Sequence, residues 1–275
     1  MKMKSDLISR VPVAIMYVLG ILIMLWLGQL TSILLLLFFA VMTLIEFIQV
    51  VDPERLRRRD RSLAISLPIL TMLLALAVPI HEYFWYALLT VAIVYFTINA
   101  IYFLSTSKIL YIGYPIWLNA LLYIGIPFGI LIWRVGVDFN FPLFLIATFV
   151  MIWLNDTGAY FVGKAFGKTK LHPKISPGKT VEGLFGGAVC TLGTAVIIFQ
   201  ITGVQSLYFW LVVAIILFLF SVIGDLSESA WKRYYKIKDS GSVLKGHGGF
   251  LDRLDSFIYA APIATLCSII LSNLN

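Results

Sequence analysis

Charged residues are scarce in this 275-residue chain, and their scarcity limits the class of protein it can be. Lys, Arg, Asp and Glu make up 13% of the sequence. Hydrophobic residues make up 60%, and the mean hydropathy is +0.95. A soluble domain is about one quarter charged, so this composition excludes an ordinary soluble globular protein. The formal charge of +7 is better interpreted through the positions of the basic residues than as a sign of nucleic-acid binding. We therefore expect no nucleic-acid partner.

Cysteine is nearly absent, and several familiar catalytic motifs are missing. Cys190 and Cys267 lie in apolar runs without metal-ligand or CxxC spacing, so we interpret both as packing residues. No HExxH or GxSxG occurs, which leaves zinc proteolysis and serine hydrolysis without support. The GKT at 178–180 is not a P-loop, because Pro173 stands where that motif requires its first glycine.

Long apolar runs are what the sequence has in abundance. Runs that can cross ~30 Å of hydrocarbon recur along the whole chain, and they predict an all-α polytopic membrane protein with about nine transmembrane helices. Residues 1–140 would form an N-terminal bundle of five spans, and residues 141–275 a catalytic region of four. The fifth run contains several Gly and Pro residues, so we expect a broken helix there and consider it for a homodimer contact. The nine runs are 11–27, 30–51, 63–80, 83–104, 109–133, 141–162, 184–201, 207–224 and 257–271.

The basic residues predict the orientation of these spans. With the N-terminus in the cytoplasm and the C-terminus outside, 20 of the 21 Lys and Arg residues fall in cytoplasmic segments, and only Arg134 lies outside. The run of arginines in 52–62 would anchor the chain at the lipid headgroups. Both large polar segments, 163–183 and 225–256, then face the cytoplasm. We expect a cell-membrane protein whose active site opens to that side.

The stretch 224–255 holds five of the fourteen acidic and six of the twenty-one basic residues. Such a polar concentration beside an apolar run indicates a functional site. If the eighth helix continues into it, five polar residues occur at i, i+3, i+4, i+7 and i+8 and share one helical face. The alternative is a purely structural role as intrahelical ion pairs, each of which stabilises the helix by about a few tenths of a kcal/mol. The five are Asp225, Glu228, Ser229, Lys232 and Arg233.

A second set of polar residues follows at the start of the ninth helix. His247, Gly248 and Gly249 precede Asp252 and Asp255, which are spaced i, i+3. Paired glycines let backbone N–H groups approach a ligand, and a helix N-terminus favours anions. Carboxylates from two helices suit Mg²⁺, which typically takes one or two carboxylates together with substrate phosphates. Acids for a metal and cations for phosphate indicate phosphoryl or nucleotidyl transfer at the membrane surface.

From Ser229 to Asp255 the chain reads S-x-x-KR-x4-KD-x-G-x2-L-x2-HGG-F-x-DR-L-D. This long gapped pattern resembles the signature of the phosphatidate cytidylyltransferases. Stretches 156–160 and 175–183 also resemble segments typical of that family, and the specific resemblance covers 155–256. Two positions depart from it: Trp231 replaces an aliphatic residue or Phe, and Lys245 replaces Pro or Gly.

The resemblance implies that an oxygen of phosphatidic acid attacks the α-phosphorus of CTP, giving CDP-diacylglycerol and pyrophosphate. It implies Mg²⁺ on Asp225 and Asp252 with Asp255 as a third acid, and it leaves a second cation open. Asp156 would serve either the metal or a lysine. The remaining implied site residues are Lys179, Lys232 and Arg233 for the phosphates, Ser229 and His247 for hydrogen bonds, and Gly248 and Gly249 for the turn over them.

Two alternatives stay open at this point. A CTP-dependent lipid kinase resembles the same family and would transfer the γ-phosphate to a polyprenol. An ion-coupled transporter would use Glu46, Asp156 and Asp225 as intramembrane carboxylates. Most of the acids lie at the predicted cytoplasmic end and no inverted repeat is evident, which speaks against the transporter.

Overall fold

The computed structural model describes residues 2–51, 57–77, 82–106, 108, 113–241 and 248–272. This part of the chain is almost entirely helical, as expected where apolar runs must satisfy their own backbone hydrogen bonds. In chain order the elements are α1 (Lys2–Trp26), α2 (Gln29–Val50), α3 (Arg58–Leu76), α4 (Glu82–Thr106), α5 (Ile116–Ala120), a π-helical turn (Leu121–Gly125), α6 (Ile126–Val137), α7 (Phe141–Phe166), β1 (Lys170–His172), β2 (Ser176–Thr180), α8 (Val181–Thr202), α9 (Leu207–Tyr234) and α10 (Leu251–Ser272).

Seven helical segments of the described chain are long and apolar enough to cross a membrane: α2, α4, the combined segment Ile116–Val137, α7, α8, α9 and α10. Pro12–Trp26 of α1 is a shorter apolar stretch, and α3 begins with Arg58, Arg59, Asp60 and Arg61. The coarser prediction, a mainly helical multi-pass membrane protein, is confirmed. A helix covers most of each predicted span, whereas the count of nine crossings and the orientation of the termini stay predictions.

The fifth predicted span is interrupted, as its glycines and prolines indicated. The π-helical turn separates α5 from α6, and Pro127 stands in the first turn of α6. A Cβ at Gly125 would lie 2.7 Å from the Cα of Pro68 on α3, so only glycine permits this close approach. Much of the span is therefore buried inside the chain's own bundle. A homodimer contact through it stays a prediction.

Helices α7 and α8 approach each other closely through small residues, which let two helix backbones come near each other. A Cβ at Gly158 would lie 2.8 Å from the carbonyl oxygen of Gly186. Between these helices β1 and β2 form an antiparallel hairpin, in which His172 faces Ser176. The all-α prediction missed this hairpin. It ends at Thr180, whose Oγ1 accepts a hydrogen bond from the Gly183 amide at 3.1 Å and caps α8.

Helices α9 and α10 bring the two polar sets together. Helix α9 continues without a break to Tyr234, as the spacing of its polar residues required. At Gly224 there is no space for a side chain, because a Cβ would lie 2.9 Å from the carbonyl oxygen of Asp255. Ser256 Oγ also donates to the Ser221 carbonyl at 3.1 Å. The carboxylates of Asp225 and Asp255 consequently lie near the same seam.

One hydrophobic core draws residues from both predicted regions. Phe39 of α2 packs edge-on against Phe149 of α7, which stacks on Phe257 of α10 with ring centroids 4.3 Å apart. Phe47 of α2 stacks on Trp231 of α9 at 5.4 Å. Trp231, one of the two departures from the resembled pattern, is thus a buried packing residue. The division at residue 140 stays a prediction, but the two halves share their packing.

Candidate active site

A cavity of about 690 Å³ lies where α1, α7, α8, α9 and α10 meet beside β2. Part of its lining is apolar and comes from α1, α7 and α8, including Val13, Ala14, Ile152, Trp153 and Leu184. A cavity that joins charged and apolar surface suits an amphiphilic ligand. The charged side chains in its lining are Asp156, Lys164, Lys179, Asp225, Lys232, Asp252, Arg253 and Asp255.

Asp225 links the hairpin to α9. Its Oδ2 forms an ion pair with Lys179 Nζ at the end of β2, and its Oδ1 accepts a hydrogen bond from Ser229 Oγ at 3.3 Å. The contact with Ser229 is the i, i+4 contact that the shared helical face predicted. The side chains of Lys179 and Asp225 keep 27% and 29% of their surface exposed, so both remain accessible from the cavity.

Lys232 joins α9 to α10 through two carboxylates. Its Nζ lies 2.5 Å from Glu228 Oε2 and 2.6 Å from Asp252 Oδ1. Glu228 is almost fully buried, with a side-chain exposure of 1%, whereas the Lys232 side chain keeps 12%. Because a buried carboxylate is costly without a partner, Lys232 has a structural role in addition to its position in the cavity lining.

Asp252 fixes the backbone on both sides of the segment that the structure does not describe. Its Oδ2 accepts hydrogen bonds from the Ser240 amide at 2.9 Å and from the Gly249 amide at 2.8 Å. Gly248 has a φ of +83°, a left-handed conformation that favours glycine, and a Cβ there would collide with Asp252 Oδ2. Gly248 and Gly249 therefore let the backbone come close to the Asp252 carboxylate at the start of α10.

Two further acids complete the cavity. Asp156 on α7 is held through Asn155, whose Nδ2 donates to Asp156 Oδ1 at 3.4 Å and to Ser221 Oγ at 3.2 Å. Asp255 is 8% exposed and lines the same cavity as Asp225 and Asp156. Three neighbouring carboxylates repel one another in a partly buried site, and a cation relieves that repulsion.

The donor chemistry of these acids fits Mg²⁺, which prefers carboxylate oxygens. Within the described ranges, however, no group of three or more His, Cys, Asp and Glu residues is assembled to hold a metal ion. Asp252 has one oxygen on Lys232 and the other on two amides, while Asp225 is shared by Lys179 and Ser229. The predicted metal set of Asp225, Asp252 and Asp255 stays a prediction.

The structure brings most of the predicted site residues together. Six of them line the same cavity: Asp156, Lys179, Asp225, Lys232, Asp252 and Asp255. Three more do not line the cavity but contact residues that do: Ser229 contacts Asp225, and Gly248 and Gly249 contact Asp252. Arg233 is different: it is exposed, is not among the lining residues, and donates to the Ile237 carbonyl at 3.2 Å. His247 and Lys245 lie outside the described residues.

Sequence reasoning missed four charged residues at or near the site. Arg253 and Lys164 line the cavity, and Lys164 also lies over the Tyr160 ring at 5.7 Å. Glu228 was recognised on the α9 face but was not assigned to the site. Glu46 on α2 was considered only as an intramembrane carboxylate of the transporter alternative, yet it contacts the start of α10. The first three stand within the polar segments or at their edges, so local sequence could have identified them, whereas nothing near Glu46 indicates its partner.

The chain is similar to known proteins over more than half of its length. The chain matches the Cytidylyltransferase family over residues 8–271. A phosphatidate cytidylyltransferase of Staphylococcus saprophyticus is 40% identical over 164 residues, which are 59% of this chain and 62% of that protein. A phosphatidate cytidylyltransferase of Bacillus subtilis is 46% identical over 144 residues, covering 52% and 54% respectively. These alignments thus span between about half and three fifths of each relative. The family match takes in every residue that lines the cavity, and the chain belongs to the Cytidylyltransferase family.

Proposed function

We propose that this protein is a CTP:phosphatidate cytidylyltransferase, which makes CDP-diacylglycerol and pyrophosphate for phospholipid synthesis. The observation that carries the proposal is the cavity, in which acidic and basic side chains share one lining with apolar residues of α1 and α7. CTP needs cationic partners for its phosphates. Phosphatidic acid needs the same for its headgroup and an apolar surface for its chains. The names of the similar bacterial proteins support this substrate pair.

In the proposed reaction, a phosphate oxygen of phosphatidic acid forms a new bond to the α-phosphorus of CTP. The bond between that phosphorus and the oxygen bridging to the β-phosphate breaks, and pyrophosphate leaves with the electron pair. The nucleophile is already ionised, so no general base has to remove a proton. Catalysis then depends on positioning two anions in line and on neutralising their charge.

The lysines of the cavity supply much of that neutralisation. Lys179 and Lys232 both line the cavity; Lys179 is paired with Asp225, and Lys232 with Glu228 and Asp252. The phosphates would compete with these carboxylates for the two ammonium groups. Ser229 fixes the Asp225 carboxylate. Arg233 remains a proposed phosphate ligand, although its present hydrogen bond is to the Ile237 carbonyl, just beyond the C-terminal end of α9.

We also propose that the acids hold Mg²⁺. Asp225 and Asp255 are the first two candidates, because Asp252 is bound by two backbone amides, whereas both contacts of Asp225 are with side chains that a cation would displace. Asp252 would then act through Lys232 and the glycine turn. Bound Mg²⁺ would supply positive charge against the phosphates of the nucleotide. Asp156 would either join the metal ligands or hold a lysine.

In this proposal the protein lies in a bacterial cell membrane and its site opens to the cytoplasmic side. This orientation rests on the bias of 20 of 21 basic residues toward one side. The apolar lining from Val13, Ala14 and Leu184 would let the lipid keep its chains in the bilayer while its headgroup enters the cavity.

The test uses purified full-length protein with CTP, Mg²⁺ and phosphatidic acid in mixed micelles. Formation of CDP-diacylglycerol with equimolar pyrophosphate is the expected result; release of CDP would instead identify a lipid kinase. Asp225→Asn should abolish product formation in folded protein. The matched control is Asp138→Asn, which removes an acid that pairs with Arg134 away from the cavity. Near-normal activity of Asp225→Asn would refute the role of this acid.

A further inference from the structure

Glu46 is an acid buried in an apolar helix, far along the chain from the proposed active site. It is the one charged residue of α2 and is 1% exposed. A carboxylate in such a position is strongly unfavourable unless hydrogen-bond donors surround it. The identity of its donors therefore indicates what the residue does.

Among the residues that the structure describes, the donors to Glu46 come from the two ends of the connection between α9 and α10. Glu46 Oε1 accepts a hydrogen bond from the Phe250 amide at 2.9 Å. Its Oε2 accepts from the Leu251 amide at 2.8 Å and from Ser240 Oγ at 3.1 Å. Helix α10 begins at Leu251, so a carboxylate from α2 binds free amides at its N-terminus, where negative charge is favoured.

The same backbone is held on its other side by Asp252. Ser240 bridges the two acids, because its hydroxyl donates to Glu46 and its amide donates to Asp252 Oδ2. Gly249 donates its amide to Asp252 as well, and a Cβ at that position would collide with Glu46. Glu46 and Asp252 thus hold the two loop ends between them.

These contacts connect α2 with residues that line the cavity. The second oxygen of Asp252 holds Lys232 at 2.6 Å, and both residues line the cavity. Next to Glu46, Phe47 stacks on Trp231, the neighbour of Lys232, with an interplanar angle of 2°. Helix α2 therefore contacts the neighbours of both cavity residues. Glu46 accepts a hydrogen bond from Leu251, which precedes Asp252, and Phe47 stacks on Trp231, which precedes Lys232.

We propose that Glu46 is a positioning residue for the nucleotide side of the active site. It touches no substrate. It fixes Ser240 and the first residues of α10, and through them the orientation of Asp252 and Lys232. This inference rests on the proposed cytidylyltransferase activity, since Asp252 and Lys232 act there on the phosphates of CTP. Glu46 is then neither an ion-pathway carboxylate nor merely a packed core residue.

The test is Glu46→Gln, which keeps the shape of the side chain. A glutamine has one acceptor oxygen, so in either orientation its NH₂ group faces a donor that the carboxylate had satisfied. We expect folded protein in which kcat/KM for CTP falls roughly 10- to 100-fold, the usual range for the loss of a residue that orients an active-site group. KM for CTP should rise, while KM for phosphatidic acid should stay within about twofold of wild type.

Thr43→Val is the matched control, because Thr43 is also fully buried on α2 and bonds only to the Phe39 carbonyl of its own helix in the described structure. It should leave both KM values unchanged. Ser240→Ala, which removes one of the three donors, should shift KM for CTP in the same direction but less. If Glu46→Gln fails to fold, the Ser240→Ala result decides the question.

Hydrogen–deuterium exchange gives a readout that does not need activity. Faster exchange of the Phe250 and Leu251 amides in Glu46→Gln is expected, with unchanged exchange in Thr43→Val. The proposal is overturned if both KM values match wild type, or if activity only falls in proportion to folded protein while KM for CTP is constant. A wild-type protein that makes no CDP-lipid would instead refute the proposed function, and the exchange experiment would still report on the loop contacts.

Discussion

Lys232 allows the catalytic and structural contributions of one side chain to be separated. Its ammonium group contacts Glu228 and Asp252 at 2.5 and 2.6 Å, and these carboxylate side chains are 1% and 9% exposed. Replacing Lys232 by Met keeps the length of the side chain but removes its charge. Glu228 would then be a buried carboxylate without its cation.

The expected loss of stability follows from this burial. Removing one member of a buried ion pair costs about 3–5 kcal/mol, because the remaining charge is uncompensated. Asp252 is affected less, since the Ser240 and Gly249 amides still bind it. A second substitution, Glu228→Gln, removes the orphaned charge, so the double variant should recover roughly half of the lost stability or more. Its activity should not recover, because the proposed phosphate ligand is still absent.

The assay measures unfolding by SDS titration in mixed micelles, together with CDP-diacylglycerol formation, for wild type, both single variants and the double variant. Glu228→Gln alone should retain most activity, because Lys232 keeps its contact with Asp252. Wild-type stability of Lys232→Met would show that the pair is not buried as described. Substantial activity in the double variant would refute a role for Lys232 in binding the phosphates.

Two further predictions concern the two ends of the cavity. Lys179→Met should leave the free energy of unfolding within about 1 kcal/mol of the wild-type value, because the pair with Asp225 is more than one quarter exposed. The kcat/KM for CTP should fall roughly 10- to 150-fold, which corresponds to the loss of one charge-assisted contact of about 1.5–3 kcal/mol. An unchanged kcat/KM would contradict its assignment to the phosphates. Ala14→Trp should raise KM for long-chain phosphatidic acid and leave KM for CTP unchanged, because Ala14 belongs to the apolar lining; a rise in KM for CTP alone would contradict a lipid-binding role for α1.

The helices could be predicted because the membrane leaves the backbone few choices. An apolar run has to satisfy its amides internally, so run length and composition alone locate most of the elements. The hairpin of β1 and β2 was missed for the complementary reason. It lies in a polar segment, where water can satisfy the backbone and periodicity carries little information. Strand β2 also packs against α7, α8 and α9, and sequence alone does not reveal these contacts.

The composition of the site was predictable to a similar extent. Asp225, Ser229 and Lys232 share a helical face, so their spacing was sufficient to group them. Their partners on other elements were not accessible to that reasoning: the pairing of Lys179 with Asp225 depends on where β2 ends relative to α9. Arg233 shows the limit of the face argument: at i+8 it lies about 80° around the helix from Asp225, and it binds the Ile237 carbonyl just beyond the end of α9.

The contacts of the three acids also weigh on the transporter alternative. An ion-coupled transporter would need Glu46, Asp156 and Asp225 to be available to a moving ion. The Glu46 carboxylate instead accepts hydrogen bonds from two backbone amides and one hydroxyl at the ends of the connection between α9 and α10. Asp156 and Asp225 line a cavity that also contains lysines. A path through Glu46 would require breaking the cap of α10. Proteoliposomes without nucleotide should therefore show no ion-driven uptake, and uptake that disappears in Glu46→Gln would reverse this conclusion.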